Sequence, residues 1–415
     1  MKPQNREIAV LGAGIVGCSC ALALQQSGYQ VTLIDPGGIS EGCSKGNAGH
    51  FATEQVLPLA TPGLLWKIPG MLLDPLGPVA IRAPYFHRIA PWLVRFMLNT
   101  RQQPFSAGTQ ALCRLNEASL PAWQRLIKRI GAQELFRLEG SLLVFEKQQS
   151  FDNYRATQET LRSCGVDSIP LSGNEAREME PALSGTIRHA LLFPNTGHTT
   201  NPYRLTKTIA NAFTARGGRY LQQAASRLRI VDDGVECGLD SGPRQFSSLV
   251  LATGAWSRPL LKQLTGKSIP LDTERGYHLM LPQSGNALRV PVTSAERRFI
   301  MTPMEEGLRL AGTVEFGGLD LPPNMRRADM LAHHAQALLP NEQSTTGEKW
   351  MGFRPSLPDS LPVIDRIGPR GQLLLAFGHQ HLGLTQAAIT AELVLKLANH
   401  EHPELDPSPF RLDRF

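Results

Sequence analysis

The sequence contains no run of roughly eighteen uninterrupted apolar residues, so no segment reads as a membrane-spanning helix. It also lacks any basic block interleaved with aromatics. Nucleic acid is therefore the least supported partner, even though Lys plus Arg outnumber Asp plus Glu by 42 to 36 and the pI is near 9.1. That excess suits an anionic substrate or an anionic membrane surface equally well. Cysteine is scarce, and Cys18, Cys20, Cys43, Cys113, Cys164 and Cys237 show neither a C-x-x-C pair nor a metal-ligand rhythm. They read as small buried apolar groups in a reducing compartment, with no metal site. Cys18 and Cys20 stand two apart in a proposed helix and point to different faces. There is no internal repeat and no low-complexity tail. The first apolar run follows mixed polar residues and carries working glycines, so it reads as a cofactor strand rather than a secretory signal, and the expected location is cytoplasmic.

What is present begins at Ile8 to Asp35, IAVLGAGIVGCSCALALQQSGYQVTLID. An apolar strand, Ile8 to Leu11, runs into Gly12, Gly14 and Gly17 at G-x-G-x-x-G spacing, followed by a helix and a second strand, Val31 to Ile34. Each glycine has a task. Gly12 permits the tight turn, Gly14 lets backbone approach a pyrophosphate, and Gly17 lets the helix lie close on the strand. The phosphates then sit at a helix N-terminus, beside Ile15 and Val16, where free N–H groups and the helix dipole favour anions. Asp35, at the end of the second strand, suits ribose hydroxyls and would repel a 2′-phosphate. These residues do not distinguish NAD from FAD.

At 415 residues the chain suits two domains. After Asp35, a loop rich in Gly, Ser and Asn offers Ser44, Lys45 and Asn47, with the small Ala48 and Gly49 and then His50, to wrap a ligand. Residues 56–99 are apolar, broken by proline and edged by Lys67, Arg82, Arg88 and Arg95, with Trp66 and Trp92. Short amphipathic pieces of this kind fit an interfacial membrane surface, a subunit contact or a folded-over cap. Thr109 to Ile130 has helical spacing and a glycine stop at Gly131. Another helix is expected from Tyr203 to about Ala215, capped by Thr200 or Asn201. Ser248 to Leu251 reads as a strand entering Ala252-Thr253-Gly254, where small residues again let backbone near a ligand. The end of the chain carries a strand, Leu373 to Phe377, and a glycine turn, Gly378 to Thr385, opening a helix.

With GAGIVG and Asp35, SKGNAGH, ALLFPNTGHTTNPYRL, LATGAWS, RGYHL, WMGFRPSLPDSLPVI and GHQHLGLT in this order, the chain resembles the D-amino acid oxidase superfamily of FAD enzymes, and within it the D-amino acid dehydrogenase group. The resemblance covers nearly the whole chain. It implies an α/β fold, a Rossmann-like FAD-binding domain with a second, discontinuous α+β substrate domain. The expected division is 1–134, 195–258 and 345–415 for FAD, and 135–194 and 259–344 for substrate. FAD would lie extended, its adenosine on Gly12 to Asp35 and its ring between the 44–50 loop and the 378–385 turn. Backbone N–H groups at Leu382, Gly383, Leu384 and Thr385, next to His381, would face the flavin N1 and C2 carbonyl. No cysteine stands beside Gly352-Phe353-Arg354 as in the sarcosine oxidase branch, so the flavin is expected to be non-covalent.

The resemblance further implies that Arg354 grips a substrate carboxylate, which a guanidinium fork matches and Lys does not. Tyr277 and His50 would line the same pocket, with His50 as acceptor of the ammonium proton. Without the resemblance, an ion pair of Arg354 with Asp359 or Asp365 is an equal reading. Where relatives commonly read G-H-G-x-x-G, this chain has Gln380. The implied reaction is oxidative deamination of small D-amino or cyclic imino acids, with electrons passed to a quinone-type acceptor, and residues 56–99 leave open a peripheral contact with the inner face of the cell membrane. The rival readings are an oxidase using O₂, an NAD-dependent dehydrogenase and a non-catalytic flavin-binding subunit.

Overall fold

The computed structural model describes residues 7–63, 77, 79–282, 284, 287–342 and 345–415. Trp66 and Lys67 therefore lie outside the described residues. The first sheet is built around the strand Glu7–Leu11, which pairs in parallel with Gln30–Ile34 on one side and Ser248–Leu251 on the other. Arg219–Leu221 extends it beyond Gln30–Ile34, Leu373–Phe377 lies beside Ser248–Leu251, and Val363–Ile367 closes that edge in the antiparallel sense. These strands are near-continuous runs of Val, Ile and Leu because both faces are buried, one under helices and the other under a three-stranded antiparallel sheet, Ser226–Val231, Gly234–Leu239 and Gly242–Phe246. The helix Ile15–Gln26 packs between Gly383–Ala398 and Pro202–Ala215 on one of those faces. Asn201 caps the last of these, its side-chain oxygen accepting from the Arg204 N–H. A long helix, Gln102–Ile130, ends at Gly131 in the left-handed conformation, φ 70°.

The second sheet has nine strands among the described residues, most of them antiparallel. Its core is the strand Asp272–Leu281, flanked by Glu348–Ser356 and Gly307–Phe316. One face of this sheet, here the outer face, carries Leu279, Leu281, Phe299, Met301, Leu308 and Leu310 under the helix Arg326–Leu338. The other, inner face meets the first domain. Two segments cross the expected division. Glu348–Ser356 is hydrogen-bonded into the large sheet beside Asp272–Leu281, and Val79–Ile81 adds to it beyond Gly307–Phe316. Both lie in stretches that the sequence division gives to the cofactor domain. The reason is register: each offers backbone to an otherwise open strand edge.

Cys113 and Cys164, read from the sequence as unpaired, form a disulfide with Cα atoms 5.6 Å apart. It joins the long helix to the end of Arg155–Ser163. Cys18, Cys20 and Cys237 are buried free thiols. The helix Phe86–Leu98 accommodates Pro91 and packs Ile89 and Trp92 against Phe316.

Candidate active site

Three glycine turns, far apart in the chain, leave the carboxyl ends of three adjacent parallel strands. Leu11 leads to Gly12, Leu251 to Ala252-Thr253-Gly254, and Phe377 to Gly378. Open α/β sheets bind ligands at such strand ends. The turns here wall one cavity of about 620 Å³. Gly12, Gly14, Ile15, Val16, Asp35, Ser44, Asn47, Thr253, Gly254, Gly378, Gly383 and Leu384 all line it. Gly12 sits at φ 100°, and a Cβ there would overlap the Ala252 carbonyl. A Cβ at Gly17 would overlap the Gly12 carbonyl, so Gly17 serves close helix–strand packing and forms no wall.

The donor set fits a dinucleotide. The helix Ile15–Gln26 begins with neither a capping side chain nor an acidic residue in its first turn, which leaves its N-terminus to an anion. Ser44 Oγ accepts from the Ile15 N–H at 2.9 Å and holds the loop against that N-terminus. Asp35 accepts from the Ala13 and Gly37 N–H groups, both at 2.8 Å, and so is fixed at the cavity wall. His379, on the same wall, bonds Thr390 and is pushed down to about 3 by burial, so its imidazole is neutral. Trp256 and Phe353 form an edge-on pair, centroids 5.5 Å apart, on the far wall. Sequence reading passed over both, although Phe353 adjoins Arg354 and must face the other side of its strand.

Other expected residues stand elsewhere. Lys45 turns outward to Glu41 at 2.8 Å and over the Tyr203 ring, because Glu41 lies one turn earlier. Gly49, at φ 76°, packs on Met304 and the Thr199 carbonyl. Ala48 does not line the cavity either. Leu382 belongs to the hydrophobic core, and Thr385 Oγ1 accepts from the Ala52 N–H. His381 is outside the cavity wall, with a pKa pushed down to about 4 by burial and then by the Arg354 charge.

The inner face of the large sheet grips the 44–50 loop. His278 Nδ1 bonds the Gly46 carbonyl at 3.0 Å, and Arg309 donates to the Asn47 carbonyl at 2.6 Å. Trp350 stacks on His278 and lies against Gly46. Burial pushes His278 down to about 3 and Arg309 down to about 10.

Arg354 shares this inner face but does not itself line the cavity, whereas Phe353 and Pro355, on the other side of the strand, do. Arg354 stands opposite Glu274 and donates to the Thr313 carbonyl at 3.2 Å. It makes no ion pair among the described residues. The ion-pair reading fails because Asp359 is taken by Arg414 at 2.7 Å and Asp365 accepts from the Leu412 N–H. Glu274 accepts from Ser356 at 2.6 Å, and Ser356 accepts from Gln380. Gln380, at φ 49°, thus points its amide at the strand of Arg354.

Tyr277 is not in the Arg354 pocket. Residues opposite each other in an antiparallel ladder share a face and alternate residues do not. Gly276 faces Gly352 and so lies with Arg354, which puts Tyr277 on the outer face. There its hydroxyl donates to Glu315 at 2.9 Å and accepts from the Asn324 N–H. His50 does not serve as proton acceptor. Its Nδ1 bonds the Gly197 carbonyl and its Nε2 bonds Glu54, each at 3.0 Å. A carbonyl and a carboxylate both need a donor, so the ring carries both protons. Burial opposes the charge, but Glu54 outweighs it and holds the His50 pKa above its ordinary value.

Comparison with known proteins agrees with this architecture. The model of the family described as FAD dependent oxidoreductase, DAO, matches residues 7–397. The chain belongs to this family. It is 33% identical to the D-amino-acid oxidase of Bradyrhizobium diazoefficiens, with all of both chains aligned. It is 27% identical to the D-amino acid dehydrogenase of Rhizobium rhizogenes, over 99% of this chain and 100% of the other. Glycine oxidase from Geobacillus kaustophilus has the same fold at TM-score 0.77 and 20% identity, covering 99% of this chain and 100% of that one. L-Proline dehydrogenase from P. horikoshii follows at 0.76 and 20%, covering 99% of each. The protein is thus an FAD-dependent oxidoreductase, and the dinucleotide that its glycine fingerprint left open is FAD.

Proposed function

We propose that the protein oxidises small D-amino or cyclic imino acids, with Arg354 binding the substrate carboxylate. Arg354 carries the reading: a guanidinium on the face toward the cofactor domain, held by one carbonyl and in no ion pair among the described residues, with the Glu274 carboxyl, which its charge acts on, opposite it. A bidentate fork fixes two atoms of the substrate and so orients its α-carbon. Bound FAD, held without a covalent link, supplies the two-electron acceptor. The substrate must arrive with its nitrogen unprotonated, because His50 already carries both ring protons. The imino product then hydrolyses in water. Gly12, Gly14 and the first turn at Ile15 and Val16 would hold the pyrophosphate, Asp35 the ribose, and the 44–47 and 378–384 segments the ring end. The experiment is anaerobic bleaching of the flavin by a panel of D- and L-amino acids that includes cyclic ones. Absence of bleaching by every D-amino and imino acid would overturn the reading.

We further infer a quinone-type acceptor reached at an anionic lipid surface, and the helix Phe86–Leu98 supports it. Phe86, Val94 and Leu98 are 57%, 60% and 46% exposed along one side, with Arg88 and Arg95 at its edge. No Asp or Glu occurs between residues 75 and 116. Apolar side chains bordered by cations suit an anionic bilayer. The helix lies near Arg354, since Trp92 donates to the Ser356 carbonyl at 3.3 Å. No helix among the described residues is long and apolar enough to cross a membrane. Co-sedimentation with phosphatidylglycerol vesicles, and not with phosphatidylcholine, should be lost in Phe86→Ser/Leu98→Ser. Faster turnover with O₂ than with a soluble quinone would favour the oxidase reading.

A further inference from the structure

The ladder of the large sheet breaks at one place on the inner face. Arg275 opposes Glu315 and Tyr277 opposes Gly312, so Thr313 and Val314 together face the single residue Gly276. This is a β-bulge, a device that re-aims groups beside active sites. Its first residue, Thr313, is β-branched yet adopts φ 58°. Such a conformation costs energy and persists only where the surroundings impose it. The Thr313 hydroxyl is buried and makes no hydrogen bond, so the side chain does not compensate. What the bulge does provide is its carbonyl, which accepts from Arg354 Nη1.

Gly276 completes the arrangement from below. A Cβ there would stand 2.8 Å from Arg354 Nε and closer still to Cζ and Nη2. The guanidinium therefore occupies the space that a side chain at Gly276 would need. Gly352, the cross-strand partner of Gly276, likewise leaves room for the indole of Trp350. Two facing glycines thus make room for two planar groups side by side, and one of those groups is a cation in no ion pair among the described residues.

We propose that Gly276 and the left-handed carbonyl of Thr313 form a cradle that sets the Arg354 fork before substrate arrives, and that both are positioning residues for carboxylate recognition. The inference rests on Arg354 being the carboxylate-binding residue. A long, mobile side chain would otherwise lose rotamer freedom at each binding event. The cradle removes that loss in advance and leaves the remaining guanidinium N–H groups for the ligand. Gln380 braces the same strand from the cofactor side, through Ser356 and Leu357.

The test uses the flavin-loaded enzyme and the best substrate from the bleaching panel. Gly276→Ala should raise KM by about 10- to 100-fold while kcat falls far less, with flavin content and melting temperature near wild type. In the Arg354→Met background, Gly276→Ala should add no further rise, because the group it displaces is gone. Thr313→Gly keeps both the left-handed backbone and the carbonyl, so its KM should stay within about threefold of wild type. If Arg354→Met leaves KM unchanged, the carboxylate-binding reading itself fails. If Arg354→Met raises KM but flavin-loaded Gly276→Ala does not, the cradle alone is overturned. Should Gly276→Ala not load flavin, a tenfold KM rise in Thr313→Gly overturns the proposal, since the side chain and not the carbonyl would then matter.

Discussion

The two faces of the large sheet treat arginine in opposite ways, one fully buried and one half-buried. On the outer face Arg275, fully buried, donates to the Gly317, Gly318, Leu321 and Pro322 carbonyls and pairs with Glu315 at 3.2 Å. Nearly every donor is consumed in stapling one loop. On the inner face Arg354 makes one bond to a carbonyl and keeps the rest of its fork. The sequence distance between them on adjacent strands is irrelevant; what differs is which side of the pleat each occupies. A saturated guanidinium is architecture, whereas one with free donors on the face toward the cofactor domain is what the proposed carboxylate receptor needs.

Substitutions break this comparison from either side. Arg275→Met should cost the most, about 3–5 kcal/mol of stability, because it leaves four loop carbonyls unpaired and Glu315 with only Tyr277 and the more distant Arg82 at 3.7 Å. Denaturant unfolding measures it, and a cost under about 1 kcal/mol would mean the outer network is incidental. Arg354→Met should instead leave unfolding nearly unchanged and raise KM for a carboxylate substrate by the equivalent of about 2–5 kcal/mol. A rise below about tenfold, roughly 1.4 kcal/mol, would count against its role.

The His50–Glu54 pair gives a smaller, pH-dependent effect. The His50 pKa is raised, so its share of the stabilisation is complete below the ordinary histidine value of 6.5 and fades as pH climbs through the raised one. Burial alone would push Glu54 up, but His50 holds it below its ordinary 4.5, so its share is complete above 4.5 and fades as pH falls through the lowered value. Both shares are therefore full between pH 4.5 and 6.5. Glu54→Gln should cost roughly 2–3 kcal/mol there, and the gap from wild type should narrow on going alkaline. A pH-independent gap in thermal melts would exclude the ion pair. The smallest effect belongs to Tyr277→Phe, about 1 kcal/mol of stability from the lost Glu315 bond. KM should not move, and a marked rise would return Tyr277 to the substrate pocket.

Local pattern reveals much of this molecule. The strand–glycine–helix unit at Glu7–Ile34, the helix ending at Gly131 and the Asn201-capped helix Pro202–Ala215 stand where periodicity and caps place them. The convergence of the Gly12, Gly254 and Gly378 turns required knowing that their strands are neighbours, which the ordered motifs implied and spacing did not. The resemblance misled at Tyr277, since two residues from Glu274 to Gly276 keep a face and one more leaves it, and a motif does not report that count. The Glu54 partner of His50 was hidden in a bend, and Lys45 was drawn off by Glu41. The Cys113–Cys164 bridge spans 51 residues between helices, a separation at which sequence says nothing of contact.

The cavity has one wall from residues 11–47 and another from residues 376–384. During synthesis at about 5–20 residues per second, roughly 16–66 seconds pass between emergence of the first wall and emergence of the second. Until then the nascent glycine fingerprint has no opposite side to press flavin against. Cofactor capture is thus a closing event of biogenesis, and a stalled or clipped polypeptide lacking that last turn would accumulate colourless.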